Sequence, residues 1–411
     1  CCVRGTVFHS LWCLGAQRKG MVIYMNVTQK TDVCTGCSMC TAICSSSAIR
    51  MQADEHGFLH PAVDTAKCTG CSLCAKKCPV STPPRVSSHT DVLTGYAKDE
   101  TLLHSSSSGA IFPVLAAEII RHGGIVFGAA FDENFDVVHT AAETLPEFSA
   151  LCSSKYVQSR IPTDCYLQVK KSLADGRWVY FSGVPCQIAA LKSYLGREYE
   201  TLITQDIACH SVPSPMVWKN YTAVLEKQHG GKLTGFSFRN KATGWEGYYI
   251  HATFDNGGEF QQPAAKNPYQ RGFIRGLYSR SSCFSCKFKG IERCSDITLA
   301  DYWGVKDIQP EAYNPQGTSL ILLHSDKGRA LLESCNGKLQ ITTAADGAFT
   351  FNPAVLTPVQ KPSRYDEFWT GYGKTSFDEL VSTCCEPTKE ELAKERWNKS
   401  LLARAIHRLT R

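Results

Sequence analysis

The amino-acid sequence predicts an α/β (α+β) domain with a mainly parallel sheet, preceded by a small cysteine-rich module. Three observations support this prediction. Two groups of four closely spaced cysteines lie within the first eighty residues, a Pro- and Ser-rich segment follows them, and apolar strands then alternate with helices. With 411 residues, the chain is long enough for two or three domains.

The composition excludes several classes of protein. An apolar fraction of 43% is ordinary for a globular protein, and the net charge of +6 is spread along the chain, so no nucleic-acid partner is expected. No apolar run approaches the roughly 18 residues of a membrane-spanning helix. The 21 cysteines fall mostly in tight groups, which in a chain of this length favour metal or cluster ligation over disulfides. This grouping of the cysteines predicts that the protein functions in a reducing compartment, the cytoplasm.

Two motifs share the spacing C-x2-C-x2-C-x3-C, namely CTGCSMCTAIC and CTGCSLCAKKC. Four thiolates, which are soft ligands, complete the coordination of a [4Fe–4S] cluster, and in bacterial ferredoxins with this spacing the fourth cysteine ligates the other cluster. The motifs therefore predict a ferredoxin-like module with two [4Fe–4S] clusters. One is expected on Cys34, Cys37, Cys40 and Cys78, and the other on Cys68, Cys71, Cys74 and Cys44.

Structural zinc is the alternative for these eight cysteines. Zinc sites usually separate their C-x-x-C pairs by a longer loop, so the doubled motif favours clusters. Ser45 follows the first motif where Pro79 follows the second, but this difference removes no ligand. Because so small a module has little apolar core, its clusters are expected to supply part of its folding free energy.

Composition divides the chain into six segments. Residues 1–24, with Cys1, Cys2 and Cys13, have no periodic pattern and are left unassigned. The others are the ferredoxin-like module (25–82), a Pro- and Ser-rich linker (83–92), the two parts of the larger domain (93–175 and 176–345) and a helical tail (346–411).

Strand and helix patterns alternate within the larger domain. Its strands are expected at 124–132, 135–142, 178–183, 201–209, 296–301 and 319–325, and helices at 187–195 and 216–230. The first two strands are separated by a tight turn. The tail from Thr388 reads as a helix with acidic residues early and basic residues late, which agrees with the helix dipole.

Four further cysteines gain significance from their positions. Cys186 and Cys209 each follow a strand, at the edge where parallel sheets bind ligands, and Cys283 and Cys286 form a C-x-x-C pair before another strand. Together they have the number of thiols needed for a third [4Fe–4S] cluster. The alternative is that Cys186 and Cys209 are merely small buried residues. Their spacing alone does not decide between these two interpretations.

Several segments of the larger domain resemble one known family. In order they include SSSSGAIFPVLAAEIIRHGGIVFGAAFD, SSKYVQS, SGVPCQIAALK, ACHSVPSPMVW, FSFRNKATGW and SCFSCKFKGIERCSDITLADYWG. They resemble the β subunits of coenzyme F420-reducing hydrogenases and related dehydrogenases over roughly residues 93–345. This resemblance implies an FAD site beside a [4Fe–4S] cluster, with Cys186, Cys209, Cys283 and Cys286 as cluster ligands. It also implies that Ser107, Ser108, Gly109, Lys155 and Gln158 lie near the flavin.

The sequence departs from the family pattern at a few positions. Ala110, Val184 and Ser211 replace a Gly, a Thr and a Gly, which weakens any inference about the substrate. His210 is a candidate proton donor to flavin or substrate, although a histidine in this position more often satisfies a backbone carbonyl. Asp301 and Trp303 are expected either to line the pocket or simply to pack.

The expected function is that of an iron–sulfur flavoprotein oxidoreductase. Flavin accepts single electrons and delivers a hydride, which is the physical reason for combining it with clusters. The acceptor or donor is a small substrate or a deazaflavin of the F420 type, and a ferredoxin or another redox protein is the expected partner. The alternatives are a non-catalytic electron-transfer subunit of a hydrogenase or dehydrogenase complex, and a non-redox zinc protein. Homo-oligomer formation stays open.

Overall fold

The computed structural model describes Val27 and residues 32–393. The predicted N-terminal extension 1–24, with Cys1, Cys2 and Cys13, and the first residues of the predicted module lie outside the described residues. The predicted tail helix is described as far as 393, and residues 389–393 are helical.

The cysteine-rich module consists of two similar halves joined by a hairpin. Each half contains a cysteine loop and one turn of helix, and the two strands pair in antiparallel register from Ile49 opposite Val63 to Ala53 opposite Leu59. Both short helices follow a serine in the left-handed region, Ser38 and Ser72. The elements are α1 (Met39–Ala42), β1 (Ile49–Ala53), β2 (Leu59–Val63) and α2 (Leu73–Lys76).

The larger domain is built from alternating strands and helices. Its strands are β3 (Asp91–Ala97), β4 (Ile125–Phe131), β5 (Val137–Ala142), β6 (Val179–Ser182), β7 (Leu202–Ile207), β8 (Leu233–Asn240), β9 (Tyr249–Phe254), β10 (Glu259–Pro263), β11 (Ile297–Asp301), β12 (Ser319–Leu323) and β13 (Leu339–Thr343). Its helices are α3 (Glu100–Ser105), α4 (Ile111–Arg121), α5 (Leu145–Phe148), α6 (Thr163–Ala174), α7 (Pro185–Leu195), α8 (Pro215–His229), α9 (Pro268–Arg275), α10 (Val305–Ile308), α11 (Asp326–Ser334), α12 (Pro353–Leu356), α13 (Tyr365–Gly371) and α14 (Phe377–Cys385).

Eight of the described strands form one sheet, in the order β13-β3-β12-β11-β7-β6-β4-β5. The four middle strands, β11, β7, β6 and β4, are parallel, as the strand–helix alternation predicts. The other four pairings are antiparallel, so the predicted mainly parallel arrangement holds for the central strands of a mixed sheet. The antiparallel pairings involve β5 at one edge and β12, β3 and β13 at the other, and β3 begins inside the predicted linker.

Helices cover both faces of this sheet. Side chains alternate along β4 and β6, so that Val126 and Tyr180 pack under α4 and α11 while Phe127 and Phe181 pack under α6 and α7. The strands β8, β9 and β10 form a second, antiparallel sheet, which the sequence patterns do not predict. Its apolar side packs with α8, α9, α13 and α14 around Trp218 and Tyr269.

The cysteine-rich module docks onto the α6 and α7 side of the large sheet. Met39 of α1 is buried in the core beneath those helices, and Tyr166 of α6 donates a hydrogen bond to the Cys37 carbonyl at 2.7 Å. On another side, His56 stacks on Trp369 at 3.9 Å. The module is therefore held by contacts on several sides. Within the described part of the chain, none of the helices combines the length and apolar character that crossing a membrane requires.

Candidate metal centres and ligand cavity

The structure brings the cysteines of the two motifs together in crossed sets. A cavity of about 30 Å³, here called cavity A, contains the thiols of Cys34, Cys37, Cys40 and Cys78. A cavity of about 40 Å³, cavity B, contains those of Cys44, Cys68, Cys71 and Cys74. Each set combines three cysteines of one motif with the fourth of the other, which is the grouping that the spacing predicts. The crossing arises because each one-turn helix carries its fourth cysteine toward the opposite half.

The environment of cavity A differs from thiol to thiol. Burial raises the pKa of Cys37 to about 12 and also raises the pKa of Cys40. Burial also acts on Cys34, but a hydrogen bond with His60 and the charge of Arg280 outweigh it and lower the pKa of this thiol. The Gly36 amide points at Cys34 Sγ at 3.4 Å, with Gly36 at φ +68°. Four buried or half-buried cysteines facing one small space form a donor set that fits a thiolate-ligated iron cluster.

The four further cysteines also meet in one place. Cys186 at the start of α7, Cys209 after β7, and Cys283 and Cys286 at the turn 281–285 all line cavity C, of about 40 Å³. Burial raises the pKa of Cys209 to about 12 and that of Cys283 to about 11. Cys294, the neighbouring thiol, does not belong to this lining. The donor set of cavity C has the same chemistry as those of cavities A and B.

The spacing of the thiols bears on the zinc alternative. Among the described residues, no three His, Cys, Asp or Glu side chains converge so that they would hold a single metal ion. A zinc ion needs ligands that converge on one point, whereas a cubane cluster distributes its four ligands over four irons. Sulfurs that surround a cavity without converging fit the second arrangement better.

The cavities follow one another with thin walls between them. Cys40 packs with Cys44 and Cys74 in one small apolar cluster between cavities A and B. Cavities A and C share the side chains of Val33, Thr35 and Val80. One layer of residues therefore separates each cavity from the next.

A much larger space of about 450 Å³, here called the ligand cavity, adjoins cavity C. It lies at the carboxyl ends of the parallel strands β6, β7 and β11, where sheets of this class bind ligands. The segment from Cys209 to Val212 lines both the ligand cavity and cavity C. Three buried polar atoms of its lining lack a hydrogen-bond partner, namely His139 Nδ1, His210 Nε2 and Arg239 Nε. Unsatisfied buried polar groups of this kind are expected where a ligand completes the site.

Three of the residues that the resemblance implies for the flavin line this cavity, and two do not. Ser107, Ser108 and Lys155 are part of the lining. Gly109 lies behind it and packs closely, since a Cβ there would approach the Gly95 carbonyl oxygen to 2.4 Å. Gln158 lies at the cysteine-rich module instead, where it donates to the Thr35 carbonyl at 2.9 Å. Gly109 and Gln158 therefore act in packing and docking in this structure, and not as cavity residues.

The polar groups of Ser107, Ser108 and Lys155 already have protein partners. The ammonium of Lys155 donates to the carbonyls of Ala150, Cys152 and Ser153, and burial lowers its pKa to about 8. Ser108 Oγ donates to the Thr318 carbonyl at 3.1 Å. Ser107 Oγ lies 2.8 Å from Ser154 Oγ. These contacts shape the loop around the cavity, and a direct flavin contact from Lys155 remains a prediction.

His210 occupies the wall between cavity C and the ligand cavity. Its ring meets Phe273 edge-on at 5.2 Å, and burial, followed by the charge of Lys289, lowers its pKa to about 4. The imidazole is therefore neutral at pH 7, and its Nε2 has no partner in the structure.

A buried ion pair in the cavity wall was not anticipated from the sequence. Arg239 forms two hydrogen bonds to Asp301, at 2.6 and 3.1 Å, and Trp245 Nε1 donates to the same carboxylate at 2.8 Å. Trp303 stacks on Trp245 at 4.7 Å, and the guanidinium also lies over the ring of Tyr248. Asp301 and Trp303 thus line the cavity, which was one of the two expectations for them. The only local signal for Arg239 was its position in a strand-like segment, FSFRN.

Comparison with known proteins identifies two parts of the chain. Residues 33–82 match the model of a 4Fe-4S dicluster domain, and residues 176–347 match that of the C terminus of the coenzyme F420 hydrogenase/dehydrogenase beta subunit. No curated protein matches the sequence. Among solved structures, a chain of the F420-reducing [NiFe] hydrogenase complex from Methanosarcina barkeri aligns with 16% identity and a TM-score of 0.40, over 62% of this chain and 81% of that chain. Residues 33–82 are thus similar to a 4Fe-4S dicluster domain, and residues 176–347 to the C-terminal region of the F420 hydrogenase/dehydrogenase beta subunit.

Proposed function

Because the chain joins a 4Fe-4S dicluster domain to a coenzyme F420 hydrogenase/dehydrogenase β-subunit region, we propose that it is an iron–sulfur flavoprotein oxidoreductase. It exchanges electrons between its clusters and an FAD that reduces or oxidises a small substrate or a deazaflavin of the F420 type. The main support is the order of the four cavities, since B, A, C and the ligand cavity follow one another with a single layer of residues between neighbours.

The third cluster is proposed for cavity C. Its support is that four cysteines from three separated segments surround one small buried space. Lys289 donates hydrogen bonds to the carbonyls of Cys209 and Ala354, which holds the segment carrying one of the four thiols in place. The positive charges of Lys289 and Arg280 also offset the negative charge of a four-thiolate cluster.

FAD is proposed for the ligand cavity. A flavin supplies the conversion between one-electron and two-electron chemistry that clusters alone lack. Arg239 and His210 would contact the bound group through the two atoms that now lack partners, Nε and Nε2. Ser107 and Ser108 lie on the loop before α4, whose backbone N–H groups suit a pyrophosphate, while their hydroxyls bind Ser154 and Thr318. The segment from Cys209 to Val212 lines both spaces and so keeps cavity C adjacent to this site.

A non-catalytic electron-transfer subunit of a hydrogenase or dehydrogenase complex is the other function considered. The ligand cavity of about 450 Å³, with its three unpartnered polar atoms, favours a catalytic protein with its own substrate. The redox partner would be a ferredoxin or a similar carrier.

The test is the cofactor content of the full chain purified without oxygen. About twelve irons and one FAD per chain are expected, from three [4Fe–4S] clusters and a flavin. The variants Cys186→Ser and Cys283→Ser should lower the iron content to about eight. The matched control Cys294→Ser should keep the content of the unsubstituted protein, since Cys294 lies outside the lining of cavity C. About eight irons and no flavin in the unsubstituted protein would overturn the proposal.

A further inference from the structure

We infer that an acidic one-electron carrier protein docks at the surface above cavity B. The exposed basic side chains around that cavity form the docking surface, here called the basic rim (Lys67, Lys76, Lys77 and Arg197). This inference rests on the proposed function, because it identifies where electrons enter or leave the dicluster domain. In the reducing direction the carrier loses one electron and the cluster of cavity B gains it, without transfer of a proton or a bond.

Cavity B is the part of the dicluster domain that lies closest to solvent. Cys68 and Cys71 are exposed, whereas the other cysteines of the two motifs are half-buried or buried. Cavity A, in contrast, is enclosed by the larger domain. Arg280, only 1% exposed, donates to the Cys34 carbonyl at 2.6 Å, and Tyr166 covers Cys37. An external protein therefore reaches the cluster of cavity B directly and the cluster of cavity A only through it.

The charge around this opening is mainly positive. Lys67 directly precedes Cys68, and its side chain is 64% exposed. Lys76 and Lys77 end α2 and are exposed, and Lys77 Nζ lies beside Gly196, which adjoins the exposed Arg197. Among the described residues, the acidic groups close in sequence to this surface are Asp64, 3.8 Å from Lys67, Glu198, which pairs with Lys192, and the exposed Glu200. A carrier with a negative surface would be steered to this opening at a rate that falls as salt rises.

An apolar residue lies within the basic rim. Leu73, which is 39% exposed, lies between Cys71 and Cys74 and forms part of the lining of cavity B. An apolar centre with a charged periphery is the usual organisation of a protein interface, and transient electron-transfer contacts are small. The short path from Leu73 to the cavity brings a docked carrier close to the cluster.

The test compares a protein donor with a small donor. The double variant Lys76→Glu/Lys77→Glu would be reduced without oxygen by a reduced [4Fe–4S] ferredoxin of net negative charge and, separately, by reduced methyl viologen. The bimolecular rate constant with ferredoxin at low salt should fall about tenfold or more, and its dependence on salt should weaken. Reduction by methyl viologen should not slow, and the iron content should not change. Lys266→Glu, in the turn after β10, is the matched control and should be reduced by ferredoxin like the unsubstituted protein.

Two outcomes would overturn the inference. One is an unchanged rate with ferredoxin in the double variant. The other is an equal slowing with ferredoxin and methyl viologen, which would indicate a defect in the cluster and not in docking. Both outcomes concern only the dicluster domain. A missing third cluster or flavin would therefore overturn the proposed function without altering the two reduction rates.

Discussion

Arg280 and Gln158 form a hydrogen bond, Nη1 to Oε1 at 3.2 Å, at the junction between the dicluster domain and the larger domain. Each also binds the dicluster domain on its own, since Arg280 donates to the Cys34 and Leu59 carbonyls and Gln158 to the Thr35 carbonyl. The pair thus holds the loop that lies between cavities A and C.

Replacing either residue should loosen this junction. Arg280→Met and Gln158→Leu leave buried carbonyls without donors, and each lost partner costs roughly 1–3 kcal/mol of unfolding free energy. Electron transfer from the dicluster domain to the cluster proposed for cavity C should slow as well. Its rate is measured by rapid mixing without oxygen. Arg275→Met, which removes a half-exposed pair with Glu391, is the control and should cost less than about 1 kcal/mol. Variants with the stability and transfer rate of the unsubstituted protein would contradict this prediction.

The crossed cysteine sets predict a specific pattern of iron loss. Cys34→Ser/Cys78→Ser changes two thiols of cavity A and should remove about four irons, whereas Cys34→Ser/Cys44→Ser affects both cavities and should remove about eight. If each motif held its own cluster, the two double variants would give the opposite results. Iron and sulfide analysis of both proteins, purified in parallel, decides between the two arrangements.

Much of the fold followed from local patterns. The apolar strands β4, β6 and β7 and the helices α7 and α8 were predicted within a few residues, because continuous apolar runs and helical periodicity leave a local record. The strand β3 was missed for a tertiary reason. Its sequence, DVLTGYA, carries Thr94 and Gly95, and Gly95 is required by the close approach of the Gln340 carbonyl on β13. A contact between residues more than two hundred positions apart produces no periodic pattern in the sequence from which the strand could be predicted.

The residues of the site also fall into those that local sequence predicts and those that long-range contacts place. The two cysteine sets of the N-terminal motifs were identifiable because thiols at short spacing are rare and chemically distinctive, whereas the third set was implied by the resemblance and not by its spacing. Gln158 was predicted near a flavin because it lies in the segment SKYVQS, yet the direction of its side chain depends on the docking of Thr35, 123 positions away in the sequence. Arg239 and Asp301 are separated by 62 positions, and neither has a local partner that would reveal the ion pair.

The Arg239–Asp301 ion pair should be important for stability. Asp301→Asn would leave the guanidinium buried without its counter-charge, which costs roughly 3–5 kcal/mol. Lys306→Met breaks the exposed pair with Glu246 and is the matched control, expected to cost less than about 1 kcal/mol. Urea unfolding of the anaerobic proteins measures the loss of unfolding free energy in each variant. Equal losses in the two variants would contradict a special role for the buried pair.

The same pair predicts a pH dependence. Burial raises the pKa of Asp301, but the charge and hydrogen bonds of Arg239 outweigh it, so the pKa lies below its usual value. The stabilisation is therefore present above the unfolded pKa of about 3.9 and is lost as pH falls through the lower, folded pKa. Asp301→Asn should lack this part of the acid sensitivity, and the difference in stability from the unsubstituted protein should shrink below about pH 4.

His139 should produce a loss of stability in a different pH window. The side chain is buried, its Nε2 donates to the Ser182 carbonyl at 3.0 Å, and Nδ1 has no partner. Burial, reinforced by the charge of Lys155, lowers its pKa to about 4. The unfolded chain therefore binds the proton more readily than the folded one between about pH 6.5 and 4, and stability falls by about 1.4 kcal/mol per pH unit as the pH is lowered through that range.

The variant His139→Gln isolates this contribution. It should be less stable than the unsubstituted protein at pH 7.5, because a buried hydrogen bond is disturbed. Between pH 7.5 and 4.5 the unfolding free energy of the unsubstituted protein should fall by about 2–3 kcal/mol more than that of the variant. The comparison uses the anaerobic holoprotein, so the acid lability of the clusters is common to both proteins. A difference for His139→Gln that does not change with pH would mean that His139 is not held neutral by its burial.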